Sequence, residues 1–234
     1  KVTLVEMADR ILQRVACAET SDYFRKLHLS HGVTLLEGVG LTRLTGAEHV
    51  TGATLSNGTA LDIDFALVGV GIQPNTGLAE TAGLTLNNGI ETNALGQTSG
   101  PNIWAAGDCA SFPYKDGRIR LESVPNAIDQ AEVVAANMLG AAKEYHATPW
   151  FWSDQYDVKL QISGLNQGFD KVVTRQGDGG RSHWYYKGGQ LLAVDAMNDP
   201  RAYMVAKRLI EAGKTVDPTL VADPSSDLKS LLRG

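Results

Sequence analysis

Cysteine is scarce in these 234 residues: Cys17 and Cys109 stand in unlike contexts, with no C-x-x-C pair. That excludes a disulfide scaffold as the basis of the fold and makes a reducing cytoplasm the expected setting. Positive charge is also short, with 21 Lys and Arg against 26 Asp and Glu and a net charge of −5. Binding to nucleic acid needs a cationic footprint that displaces counterions from phosphates, so no nucleic-acid role is expected. Long apolar runs are missing too. The longest, such as Phe65 to Ile72, fall far short of the roughly 20 residues of a membrane helix. No signal peptide is visible at the first residues, and the five histidines (His28, His31, His49, His146 and His183) lack second-ligand spacing, so no metal site is expected.

What is present alternates between strand-like and helix-like patterns, the mark of an α/β chain. Val2 to Val5 is a short β-branched run closed by Glu6. In a dinucleotide-binding βαβ unit the second strand ends in such an acid, which accepts hydrogen bonds from the adenosine ribose hydroxyls. The G-x-G-x-x-G turn that should stand about 20 residues earlier would fall before residue 1. Thr20-Ser21-Asp22 then reads as the cap of a helix with Phe24 and Leu27 on one face, closed by His31-Gly32. Val33 to Leu36 reads as the next strand. Asn57-Gly58 marks a hairpin, and the apolar run from Phe65 to Gly71 reads as a central parallel strand buried on both faces. Gly69 and Gly71 at its end would let a ligand approach the backbone.

A second block, from about Gly83, leads to Asn102-Ile103-Trp104-Ala105-Ala106-Gly107-Asp108. It reads as an apolar strand ending in Gly-Asp, where glycine admits close approach and the carboxylate can accept from a sugar or ribityl hydroxyl. A helix is expected from Asn126 to Leu139, with Ile128, Ala131, Ala135 and Met138 as a stripe assigned to core packing. From Trp150 onward the composition shifts again. A Gly177-Asp178-Gly179-Gly180 loop, a Gly188-Gly189 hairpin joining Ser182–Lys187 to Gln190–Asp195, a helix from about Arg201 to Ala212 stopped by Gly213, and a short terminal helix indicate a separate α+β domain with antiparallel strands. His183 reads as a surface residue of its strand.

Five segments then occur together: Leu4-Val5-Glu6; Val70-Gly71-x-x-Pro74-Asn75; Ile103-Trp104-Ala105-Ala106-Gly107-Asp108; Glu122-Ser123-Val124-Pro125-Asn126-Ala127; and Trp150 to Tyr156. In order and spacing the chain resembles the FAD-dependent ferredoxin reductases of bacterial oxygenase systems, which have a pyridine nucleotide-disulfide oxidoreductase-like fold. The resemblance implies a Rossmann-like NAD domain over residues 1–82, incomplete at its start, a returning part of an FAD domain over 83–147, and a C-terminal α+β domain over 148–234. It implies that the first FAD segment, with its phosphate-binding turn, is missing, so that this piece by itself is expected to bind FAD poorly or not at all and to be inactive.

The same resemblance assigns roles. Glu6, Gly69, Gly71 and Glu122 would meet NADH, Glu122 at the nicotinamide carboxamide. Gly107, Asp108, Val124, Pro125 and Trp152 would meet FAD, with Asp108 on the ribityl chain, Val124-Pro125 along the pyrimidine edge and Trp152 facing the ring; no residue acts as acid or base. An acid at position 6 favours NADH over NADPH, since a 2′-phosphate would be repelled. The implied activity is hydride transfer from NADH to FAD, then single-electron transfers to a [2Fe–2S] ferredoxin or a rubredoxin. Lys159, Arg201, Lys207 and Arg208 are the basic residues expected to steer such a partner. Two other readings keep the same scaffold: an NADH oxidase, and a redox-sensing NADH-binding protein resembling apoptosis-inducing factor. A homodimer is compatible with each.

Overall fold

The computed structural model describes residues 1–177 and 179–233; Asp178, in the expected glycine loop, lies outside the described residues. The chain forms two compact units, 1–71 and 72–234. In the first, β1 (Thr3–Glu6) and β2 (Thr34–Glu37) are parallel and joined through α1 (Ala18–Ser30). Their register sets Glu6 beside Glu37, so two acids share the carboxyl end of the pair. Helix α1 begins after Cys17, earlier than expected. Thr20 and Ser21 are therefore inside its first turn and buried, and the Ser21 hydroxyl donates to the Ile11 carbonyl instead of capping. The strands β3 (Leu41–Thr45), β4 (Gly52–Leu55) and β5 (Ala60–Asp62) form an antiparallel sheet, with β4 and β5 joined through the expected turn at Gly58.

The run from Phe65 to Gly71 is not a strand. It is irregular and outward-facing, with Leu67 94% exposed. A strand buried on both faces needs neighbours to take its N–H and C=O groups and layers to cover it. Among the described residues nothing pairs with this segment.

In the second unit α2 (Gly77–Thr81) precedes a small sheet of β6 (Ile90–Glu91), β7 (Ala110–Tyr114) and β8 (Gly117–Arg120). The expected strand before Gly107 reduces to one bridge, Gln97 to Trp104, followed by a single 3₁₀ turn over Gly107–Cys109. Helix α3 (Val124–Met138) follows. Then β9 (Trp150–Gln155), β10 (Val158–Gly164), β11 (Lys171–Gln176), β12 (Arg181–Lys187) and β13 (Gln190–Met197) form an antiparallel sheet in the order β11-β12-β13-β10-β9. Gly188 and Gly189 both have positive φ, as a two-residue hairpin turn demands.

Helix α4 (Pro200–Glu211) lies on this sheet, and α5 (Pro218–Ala222) follows it. Asp199 caps α4 by accepting from the Ala202 N–H at 3.0 Å, with Pro200 in the first turn. Trp184, Tyr186 and Val194 of the sheet pack with Val205, Ala206 and Leu209 of α4 in the main core. Arg175, buried in β11, donates to the carbonyls of Val221, Asp223, Pro224 and Ser226 and so gathers in the chain after α5. His183 is not on the surface: it is fully buried, its Nε2 accepting from Arg181 Nε at 3.0 Å, with Asp195 paired opposite it and bonded by the Tyr185 hydroxyl. Among the described residues no helix is long and apolar enough to cross a membrane.

Candidate functional site

The turn at Gly107-Asp108 is held from three sides. Gly107 has φ +76, and a Cβ there would come within 3.3 Å of the Ala127 Cβ on α3, so glycine is needed both for the backbone shape and for the close approach. Its N–H donates to Gln130 Oε1 at 2.8 Å. Asp108 Oδ1 accepts from the Ser123 N–H at 3.3 Å, and the Asp108 carbonyl accepts from Arg120 Nη1 at 3.0 Å. The side chain of Asp108 stays exposed.

Helix α3 starts beside this turn, two residues before the expected Asn126, so that Val124 and Pro125 form its first turn. Its N-terminus is not capped by a side chain. The Ser123 hydroxyl that could have done so donates to the Trp150 carbonyl at 3.0 Å and ties α3 to β9. First-turn N–H groups have no intrahelical acceptor, so this end of α3 presents donors and a positive partial charge.

The expected core stripe on α3 faces outward. Ile128 is 54% and Met138 62% exposed, while the buried face carries Asn126, Gln130, Val134 and Asn137. The buried amides are used: besides Gln130, Asn126 donates to the Leu121 carbonyl and Asn137 to those of Leu95 and Lys143. Val134 is met by the turn at Gly96, which comes so close that a Cβ there would overlap it. The outward stripe instead lines open grooves. One, of about 510 Å³, is bounded by Ala106, Gly107, Asp108, Val124, Ala127 and Ile128.

On the other side of Ser123, the Trp150 ring lies in tilted contact with Trp152, centroids 5.6 Å apart, and with Tyr203, centroids 6.4 Å apart. Lys207 Nζ stands 4.9 Å from the centre of the Trp150 ring and 3.8 Å from Glu211. Trp152 is 45% exposed. The structure therefore connects Gly107, Asp108, Val124, Pro125 and Glu122 around one turn, and reaches Trp152 and Lys207 through Trp150. Lys159 is on β10 beside Asp154 at 4.0 Å, and Arg201 and Arg208 are exposed on α4.

Glu6, Gly69 and Gly71 belong to the first unit. Glu6 Oε1 accepts from the Ala8 N–H at 2.8 Å. Its neighbour Glu37 is bound into the fold, paired with Arg25 at 2.8 Å and accepting from the Ile11 N–H at 2.7 Å. The Arg25 guanidinium holds the Glu37 carboxyl below the usual range, and Glu37 raises Arg25 in return. Gly71 has φ +91, and Arg14 Nη1 would lie 3.4 Å from a Cβ there.

Sequence reading missed Arg120, Gln130 and Trp150 as working parts. A signal existed for Gln130: Asn126, Gln130, Val134 and Asn137 recur at helical spacing, a second stripe as regular as the apolar one. FAD, which the resemblance implies, would fit here at its sugar and ring end, where a glycine cradle, an exposed carboxylate, uncapped helix donors and an apolar groove lie together.

The sequence pattern of the pyridine nucleotide-disulphide oxidoreductases matches residues 1–131, and that of the reductase C-terminal domain matches 150–232. A ferredoxin--NAD(P)(+) reductase from Sphingomonas sp. is 41% identical over 99% of this chain and 57% of its own length. Putidaredoxin reductase from Pseudomonas putida is 39% identical over 99% of this chain and 56% of its own. Among solved structures, a ferredoxin reductase from Rhodopseudomonas palustris superposes with a TM-score of 0.94 at 41% identity, covering 98% of this chain and 58% of that one. The putidaredoxin reductase–putidaredoxin complex gives 0.93 at 37% identity, covering 99% and 57%. The chain thus spans somewhat more than half the length of these relatives. With both sequence patterns in place and the fold shared, the chain belongs to the pyridine nucleotide-disulphide oxidoreductase family, in the branch that carries the reductase C-terminal domain.

Proposed function

We propose that these residues are the C-terminal part of an NADH-dependent flavoprotein reductase that passes electrons through FAD to a [2Fe–2S] ferredoxin or a rubredoxin serving an oxygenase. The observation that carries this reading is the Gly107-Asp108 turn set against the uncapped start of α3, with Trp152, Trp150 and Lys207 continuing from it. We keep the division 1–82, 83–147 and 148–234 as NAD, returning FAD and C-terminal segments, and the cytoplasm as the setting.

FAD, when bound, supplies the exchange between a hydride donor and one-electron acceptors. The chain's own residues do the positioning. Asp108 accepts from a ribityl hydroxyl, and Gly107 keeps the approach open. The Val124 N–H in the first turn, beside Pro125, which has none, donates toward the pyrimidine edge and favours negative charge there. Trp152 excludes water from the ring face. Glu122 accepts from the nicotinamide carboxamide, Gly69 and Gly71 admit the nicotinamide end, and Glu6 accepts from the adenosine ribose and repels a 2′-phosphate. Lys207, with Lys159, Arg201 and Arg208, attracts an acidic partner.

The test is visible absorption of the full-length protein. Flavin bands that bleach with NADH but not with equal NADPH, and recover on adding a ferredoxin, support the reading. A full-length protein without flavin bands overturns it. For the 234 residues alone, the exposed stripe on α3 favours self-association. Sedimentation that finds only monomer across micromolar concentrations would remove that second reading.

A further inference from the structure

We propose that Arg120 is a positioning residue that couples the flavin-side turn to the nicotinamide-side acid; this rests on the roles given above to Asp108 and Glu122. Arg120 is the last residue of β8. Its Nη1 donates to the Asp108 carbonyl at 3.0 Å and lies 2.8 Å from Glu122 Oε1. One nitrogen thus bridges the two residues assigned to different cofactors. The side chain is 9% accessible, and its stem runs over Gly89, where a Cβ would come within 3.0 Å of Arg120 Cδ and 2.6 Å of the Cys109 carbonyl. Gly89 also has φ +131, so the slot is shaped for this arginine and would be closed by any side chain.

Arg118, two residues earlier on the same strand, shows what a purely structural arginine does here. It donates to the carbonyls of Thr92 and Ser111 and stands 3.8 Å from Glu91, stitching the small sheet. Arg120 points its charge at the candidate site instead. Its Nε, like that of Arg118, is buried and has no hydrogen-bond partner among the described residues, so what sets the two arginines apart is where the terminal nitrogens point. A guanidinium with an unmet buried donor is costly, and a neutral side chain would fill the slot more cheaply. What a neutral side chain would not do is hold a carboxylate at a fixed distance from the Asp108 backbone. Ordering the turn by FAD therefore orders Glu122, and NADH meets a carboxylate already in place. By linkage each ligand tightens the other.

The experiment uses the full-length reductase with Arg120→Gln, Glu122→Gln, the double variant and Arg120→Lys. The readouts are the FAD dissociation constant of the apoprotein, and KM and kcat for NADH. Glu122→Gln should raise KM for NADH about tenfold, as expected for one charge-assisted contact, and leave FAD affinity unchanged. Arg120→Gln should raise both KM and the FAD dissociation constant. In the double variant the KM effect should equal that of Glu122→Gln alone, because the two residues act as one unit. Arg120→Lys keeps the charge without the planar fork and should recover only part of both losses.

Independent, multiplying effects on KM would overturn the proposal, as would an unchanged KM in Arg120→Gln. If Arg120→Gln does not fold, Arg120→Lys decides: intermediate shifts in both constants support the coupling, and wild-type values in both overturn it. A wild-type protein that holds FAD but is not reduced by NADH fails earlier, at the reductase reading itself, and takes the proposal with it.

Discussion

Helices α3 and α4 are both amphipathic, yet they sort their faces in opposite ways. On α4 the apolar residues go inward, with Val205, Ala206 and Leu209 in the core under the five-stranded sheet. On α3 the apolar stripe looks out, and Asn126, Gln130 and Asn137 are inside, bonded to backbone groups of the segments they touch. Apolar periodicity therefore locates a helix without saying what covers it. A buried amide carries more information, because its partners must be specific. Here those partners shape the turn at Gly107 and the chain around Leu95 and Lys143.

The contrast can be broken by substitution. Leu209→Ala should cost about 3 kcal/mol in urea unfolding, the usual result of emptying a packed site. Ile128→Ala on the outward stripe should cost less than about 0.5 kcal/mol, and equal losses would refute the difference between the helices. Asn137→Leu makes α3 more apolar but strands the Leu95 and Lys143 carbonyls and the Lys143 N–H that it satisfies. It should destabilise by about 2 kcal/mol in the same assay.

The helix starts give a smaller contrast. Asp199→Ala should cost about 1 kcal/mol as a lost cap on α4. Ser123→Ala removes no cap; its effect should appear instead as a changed Trp fluorescence, since the hydroxyl holds the Trp150 carbonyl. The smallest effect expected is on pH. Glu37 is held below its ordinary value of 4.5, chiefly by Arg25. Its contribution is present above that value and fades as pH falls through the lower folded one, so Glu37→Gln should flatten the acid limb of the stability profile.

Much of the fold was legible. Strand β1 ending in Glu6, the hairpins at Gly58 and at Gly188-Gly189, and α4 between Asp199 and Gly213 all follow from local chemistry: alternation, turn glycines, a capping acid and a stop. The failures share a cause. Phe65 to Gly71 and Ile103 to Ala106 have strand sequences but no strands to pair with among the described residues, and pairing is non-local. Ser21 looked like a cap because capping residues also serve loops, as it does for Ile11. His183 looked exposed because a lone polar residue in a strand usually is; it is buried beside residues that bond to one another. In the candidate site, glycine and acid motifs pointed to Gly107 and Asp108, whereas Arg120 and Gln130 hold that turn through contacts 12 and 23 positions away in sequence.

Arg175 also bears on how the chain meets proteases. One buried guanidinium holds four carbonyls between Val221 and Ser226, so that stretch cannot straighten into the extended form a protease cleft accepts without releasing all four at once. Limited digestion of the folded protein should spare the stretch from Val221 to Ser226, whereas the exposed run from Phe65 to Gly71 should be among the first places an endoprotease cuts.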